Sequence, residues 1–127
     1  MRRTEQRRAA VVALYQQDVT GRPLAELLGR DASGFTRGLV EGVAREQAAL
    51  DELIAGHAEG WALDRIAPLE RNIMRVALYE LLHEPEVPAE VAIDEAVEAA
   101  KELCGTDAPG FVNGVLGAIQ REGAPTP

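Results

Sequence analysis

Four arginines stand within eight residues of the start: Arg2, Arg3, Arg7 and Arg8. Guanidinium groups so spaced suit a polyanion, because each can neutralise a phosphate and displace its counterions. Tyr15 follows one to two helical turns later, and an aromatic ring offers a nucleobase a stacking surface. At i, i+3, i+4 and i+7, Arg8, Val11, Val12 and Tyr15 fall on one helix face. Two other groupings invite a catalytic reading. Glu80 and His83 have the Glu-x-x-His spacing of di-iron bundles, but such a site needs a second copy. The only other histidine is His57, and Ile54 stands where its glutamate would be. Glu80 and His83 are therefore expected at the surface near a helix end. Asp94, Glu95 and Glu98 could be posed as an acid–base pair, but on a helix they read as a solvated face. The lone Cys104 reads as a small apolar residue, with no histidine base assigned to it. No P-loop, dinucleotide fingerprint, nucleophile elbow or paired cysteine ligands occur. The reading is of a binding protein, with no catalysis, cofactor or metal expected.

These groups need elements to carry them. The 127 residues suit one domain, 46% hydrophobic but only 4% aromatic, so the core must be aliphatic. Apolar periodicity predicts a first helix over 4–19, capped by Thr4 and ended by Gly21 and Pro23. A short helix follows over 23–28, then a long one over 33–55 with Phe35, Leu39, Val43, Leu50 and Ile54 inward. Gly38 and Gly42, four apart, mark close helix packing there. After a connector holding Gly60, Trp61 and Asp64, Pro68 opens a helix through residue 82. Helices over 89–103 and 107–121 complete an all-α domain, residues 1–122, and residues 123–127 read as a disordered tail. No segment has transmembrane length, and the N-terminal apolar run lacks a cleavage site, so a soluble, cytoplasmic protein without membrane attachment is expected.

The net charge of −8 is unevenly distributed. The first ten residues balance at +3, leaving −11 on the rest. From Glu80 to Glu102 eight acids face only Lys101. Two surfaces with different partners are expected, one for a polyanion and one for a basic protein.

Residues 69–82 (LERNIMRVALYELL), 87–101 (VPAEVAIDEAVEAAK), 111–116 (FVNGVL) and 7–15 (RRAAVVALY) come in an order that resembles the NusB transcription antitermination family over almost the whole chain. The resemblance implies two packed three-helix subdomains. It implies binding to single-stranded boxA RNA, above all in ribosomal RNA operon leaders, shared with the small-subunit ribosomal protein NusE, so that RNA polymerase in its antitermination complex reads through terminators. By position Arg7, Arg8 and Tyr15 match the family's RNA surface, with Arg2 and Arg3 preceding them as an arm. Glu70, in the Leu-Glu-Arg motif with Arg71, matches the NusE contact, and Glu95 lies in the acidic stretch assigned to that partner. A homodimer that hides the RNA surface is also compatible with the family. Asp94 replaces a frequent Asn, and Gly117 stands where many members carry an acid near the RNA. The family's domain also occurs fused to an RNA methyltransferase, for which this length leaves no room.

Overall fold

A computed structural model describes residues 2–123, so the tail expectation for 124–127 lies outside the described residues. Six α-helices connect through short turns, and no strand occurs among the described residues. They are α1 (Arg3–Thr20), α2 (Leu24–Leu27), α3 (Gly34–His57), α4 (Pro68–His83), α5 (Ala89–Leu103) and α6 (Ala108–Arg121). A 3-10 turn at Leu63–Arg65 interrupts the connector before α4. The sequence periodicity does not reveal it, because three residues are too few to set a repeat.

The helix limits follow local chemistry. α1 stops at Gly21, whose φ of 73° is the left-handed conformation glycine tolerates, with its N–H bonded to the Gln17 carbonyl at 2.8 Å. Its start departs from expectation. The N-cap is Arg2, which supplies no side-chain cap, while Thr4 lies inside the helix and donates its hydroxyl to Glu95 Oε1 at 3.1 Å. Ser33 caps α3 by accepting from the Thr36 N–H. Pro68 occupies the first turn of α4, where its missing N–H costs nothing.

α1, α2 and α3 pack together, as do α4, α5 and α6, and α4 touches both groups. This gives two three-helix units on one continuous core of Leu39, Leu50, Ile54, Ile73, Met74, Leu78, Leu116 and Ile119. Nine successive residues of α4, Asn72 to Glu80, are buried. A helix apolar on only one face cannot do this; α4 has neighbours all around. Of the two glycines expected to mark close packing, only Gly42 does so. A Cβ there would collide with the Tyr79 ring, whereas a Cβ on Gly38 would meet nothing within 4 Å.

Candidate nucleic-acid interface

Because α4 is enclosed, its polar side chains must find partners inside the protein. Glu80 is 1% exposed, which overturns its expected place at the surface. It accepts two hydrogen bonds from Arg7: Nε at 2.7 Å and Nη2 at 2.9 Å. The third donor of Arg7, Nη1, reaches Glu95 Oε2 at 3.1 Å. The hydrogen bond to Glu80 is the main reason the Arg7 pKa rises further, against the opposing effect of burial. Arg7 is thus a buried cation whose charge two carboxylates already balance. The acids of α5 and the arginines of α1 are not two separate poles. They face each other across one seam.

Arg8 lies at the edge of that seam. Its Nε pairs with Glu102 Oε2 at 3.1 Å, a carboxylate largely in water. Arg3 and Arg2 are exposed. Arg3 places its guanidinium carbon 4.1 Å from the centre of the Phe35 ring and donates Nη1 to Gln6 Oε1 at 3.0 Å. No carboxylate pairs with Arg2 or Arg3 among the described residues. Tyr15 is half-buried beside the exposed Val12, and its hydroxyl makes no hydrogen bond among the described residues. The surface of α1 therefore offers Arg2, Arg3, Arg8 and Tyr15, with Arg7 beneath them. Phe35, which apolar periodicity assigns to the core, packs against it while partly buried, and its ring carries two guanidiniums, the second being Arg7 at 5.4 Å.

The residues assigned to a protein partner separate in the same way. Glu95 is drawn into the arginine seam by Thr4 and Arg7. Arg71 gives Nε and Nη2 to Asp18 and Nη1 to the carbonyls of Leu63 and Ile66, so it holds the 3-10 turn. Glu70 is different. It lines a groove of about 330 Å³ with Trp61, Arg65, Ile66, Ala67, Asp107, Ala108 and Phe111. Trp61 is 52% exposed and meets Phe111 edge-to-face at 6.3 Å. Neither Glu70 nor Arg65 has an internal partner among the described residues, and burial raises the Glu70 pKa. Burial first, then the charge of Glu70, pushes the nearby Cys104 thiol up, away from reactivity. The groove was not read from sequence. Its one signal there was a tryptophan in a short polar connector, where a large aromatic has little packing reason to be.

No group of three His, Cys, Asp or Glu among the described residues could hold a metal. Glu80 is taken by Arg7, and His83 stacks on Tyr79 at 4.8 Å. No described helix is long and apolar enough to cross a membrane. At Gly117, the Arg121 guanidinium lies where a Cβ would be 3.1 Å from its Nη1, so a cation occupies that neighbourhood.

Comparison with known proteins bears on this arrangement. The NusB family model matches residues 4–121. Transcription antitermination protein NusB of Rubrobacter xylanophilus is 45% identical over 122 residues, covering 91% of this chain and 88% of that protein. The Salinispora tropica protein of the same name is 43% identical, covering 92% and 93%. Among solved structures, T. maritima NusB superposes with a TM-score of 0.88 at 34% identity, covering 98% of this chain and 94% of that one. A crystal structure of antitermination factors NusB and NusE in complex with dsRNA gives 0.82 at 28% identity, covering 96% and 99%. Near-complete coverage in sequence and in three dimensions leads to one assignment: the chain belongs to the NusB family.

Proposed function

We propose that this protein is a transcription antitermination factor that binds boxA RNA together with NusE, and that it works as an adaptor without catalysis. The observation that carries the reading is the pair Arg2 and Arg3 at the start of α1, exposed and balanced by no carboxylate among the described residues, on a chain whose net charge is −8. Phosphates would meet Arg2, Arg3 and Arg8, and an unstacked base would meet Tyr15. Arg7 would act from below, fixing the helix that presents them. The second surface is the groove around Glu70. A half-buried carboxylate without a partner, walled by Trp61 and Phe111, suits a basic side chain of NusE. Arg71 would shape that groove through the 3-10 turn. Residues 1–122 would act as one RNA-binding unit, in the cytoplasm where transcripts emerge. The relatives curated as antitermination proteins, and the solved assembly of NusB, NusE and dsRNA, support this reading.

Gel-shift titration with boxA RNA, with and without NusE, tests it. The expected result is a boxA complex that forms at lower protein concentration when NusE is present. Equal shifts with boxA and scrambled RNA, in both conditions, would refute it.

A further inference from the structure

We propose that Phe35 is a positioning residue for RNA recognition: it holds the Arg3 guanidinium over its ring at the surface as a platform on which a nucleobase stacks. This deepens the RNA-binding reading above and rests on it.

The four N-terminal arginines are not equivalent. Arg7 spends Nε, Nη1 and Nη2 on carboxylates, and its side chain is only 10% exposed. Arg8 is paired with Glu102. Arg2 is exposed, with no partner among the described residues to hold it. Arg3 alone combines a charge that no carboxylate balances with a side chain held in place.

What holds it is built from two helix starts. Phe35 sits in the first turn of α3. That turn is joined to the first turn of α1 by Ser33 Oγ donating to Gln6 Oε1 at 2.8 Å, and by Thr36 Oγ1 donating to the Gln6 carbonyl at 3.0 Å. The same Gln6 Oε1 accepts from Arg3. Arg3 is therefore tied through Gln6 to the junction of the two helix starts, and belongs to α1 instead of a free arm. A ring stabilises a guanidinium at 4.1 Å through its negative face. A guanidinium seated on a ring on one side leaves the other side for a base, since planar guanidiniums stack on bases as aromatics do. Its remaining N–H groups stay available to a phosphate. Order already present in the free protein reduces what binding must immobilise.

Three variants and two probes test this: Phe35→Leu, Phe35→Trp and Arg3→Lys, against boxA RNA and the same RNA with single abasic sites, by fluorescence anisotropy at several salt concentrations. Phe35→Leu keeps apolar bulk and removes the ring. It should weaken binding about fivefold or more, the effect of losing a stacked base, with an unchanged slope of log K against log salt. Phe35→Trp should restore affinity. Arg3→Lys keeps the charge, sits at the surface and should weaken binding to a similar degree with the fold intact. One abasic site should erase the difference between wild type and Phe35→Leu. Wild-type affinity in both Phe35→Leu and Arg3→Lys would overturn the platform while leaving RNA binding in place. A wild-type protein that prefers no RNA would overturn the reading beneath it.

Discussion

At the scale of single residues, the same side-chain type does opposite work depending on its enclosure. Arg7 and Arg3 are one helical turn apart. One is sealed between Glu80 and Glu95, and the other lies open on Phe35. A buried pair broken from one side leaves a charge without compensation, which costs about 3–5 kcal/mol. Glu80→Ala should lower unfolding free energy by about that amount in urea titrations, and Arg7→Ala similarly. The double substitution should cost less than the sum, because neither variant then strands a charge. Additive losses would mean the two do not act as a pair. Glu70 behaves in reverse. Burial disfavours its carboxylate, so its folded pKa is raised and the folded state holds that proton to higher pH. Stability from this residue is therefore lost as pH rises through the folded pKa. Glu70→Gln should be at least as stable as wild type at pH 7, with the difference vanishing near pH 4, and should bind NusE more weakly. A variant that melts lower at pH 7 but keeps full NusE affinity would remove Glu70 from the interface. Residue types and spacing made the arginine cluster legible from the sequence. Which arginine is free was not legible, because the answer depends on Glu80 and Glu95, more than seventy positions away in the chain. Glu80 was misplaced for a related reason: a charge near a helix end looks solvated unless the helix is known to be enclosed.

At the scale of elements, α1 is fastened to α4 at both ends. Arg7 and Glu80 close one end. At the other, Asp18 accepts from Arg71, Asn72 and Arg75, and Arg75 also binds Asp51 on α3 in a two-point contact. Burial alone would raise the Asp18 pKa, but these donors and charges together hold it below the ordinary carboxylate value. Its contribution is present above the unfolded pKa and disappears as pH falls through the folded one. Asp18→Asn should cost about 2 kcal/mol at pH 7, in the range for hydrogen bonds to charged groups. That gap from wild type should close as acid protonates the native carboxylate below pH 4. A gap that persists to pH 2 would assign the loss to packing instead. Helix positions were legible because apolar periodicity and the punctuation of Gly21, Pro23 and Pro68 agree. The N-terminal cap was misread: Thr4 has the right side chain for a cap, but Glu95 from α5 takes its hydroxyl. The second unread feature, the groove beside Glu70, forms where the 3-10 turn meets the start of α6. No local pattern encodes such a meeting.

At the scale of the whole molecule, charge is organised by contact as well as by segment. The acids of α5 that remain outward, Glu90, Asp94, Glu98 and Glu102, give that helix an acidic outer side, with Glu98 paired to Lys101 and Glu102 to Arg8. Their inward neighbour Glu95, with Glu80 of α4, neutralises α1 from within. What remains basic on α1 is a small area carrying Arg2, Arg3 and the edge of Arg8. On a chain of net charge −8, such a patch favours an approach of RNA to the start of α1 over approaches to the acidic faces. The same acidity favours a basic partner on the other side. The most direct test of this account is the salt dependence of boxA affinity for wild type, Arg2→Ala/Arg3→Ala and Arg7→Ala. Wild type should prefer boxA to scrambled RNA. The Arg2/Arg3 variant should flatten the slope of log K against log salt by about 1 to 2. Arg7→Ala should lose stability and leave the slope unchanged. A slope that flattens with Arg7→Ala but not with Arg2→Ala/Arg3→Ala would contradict it.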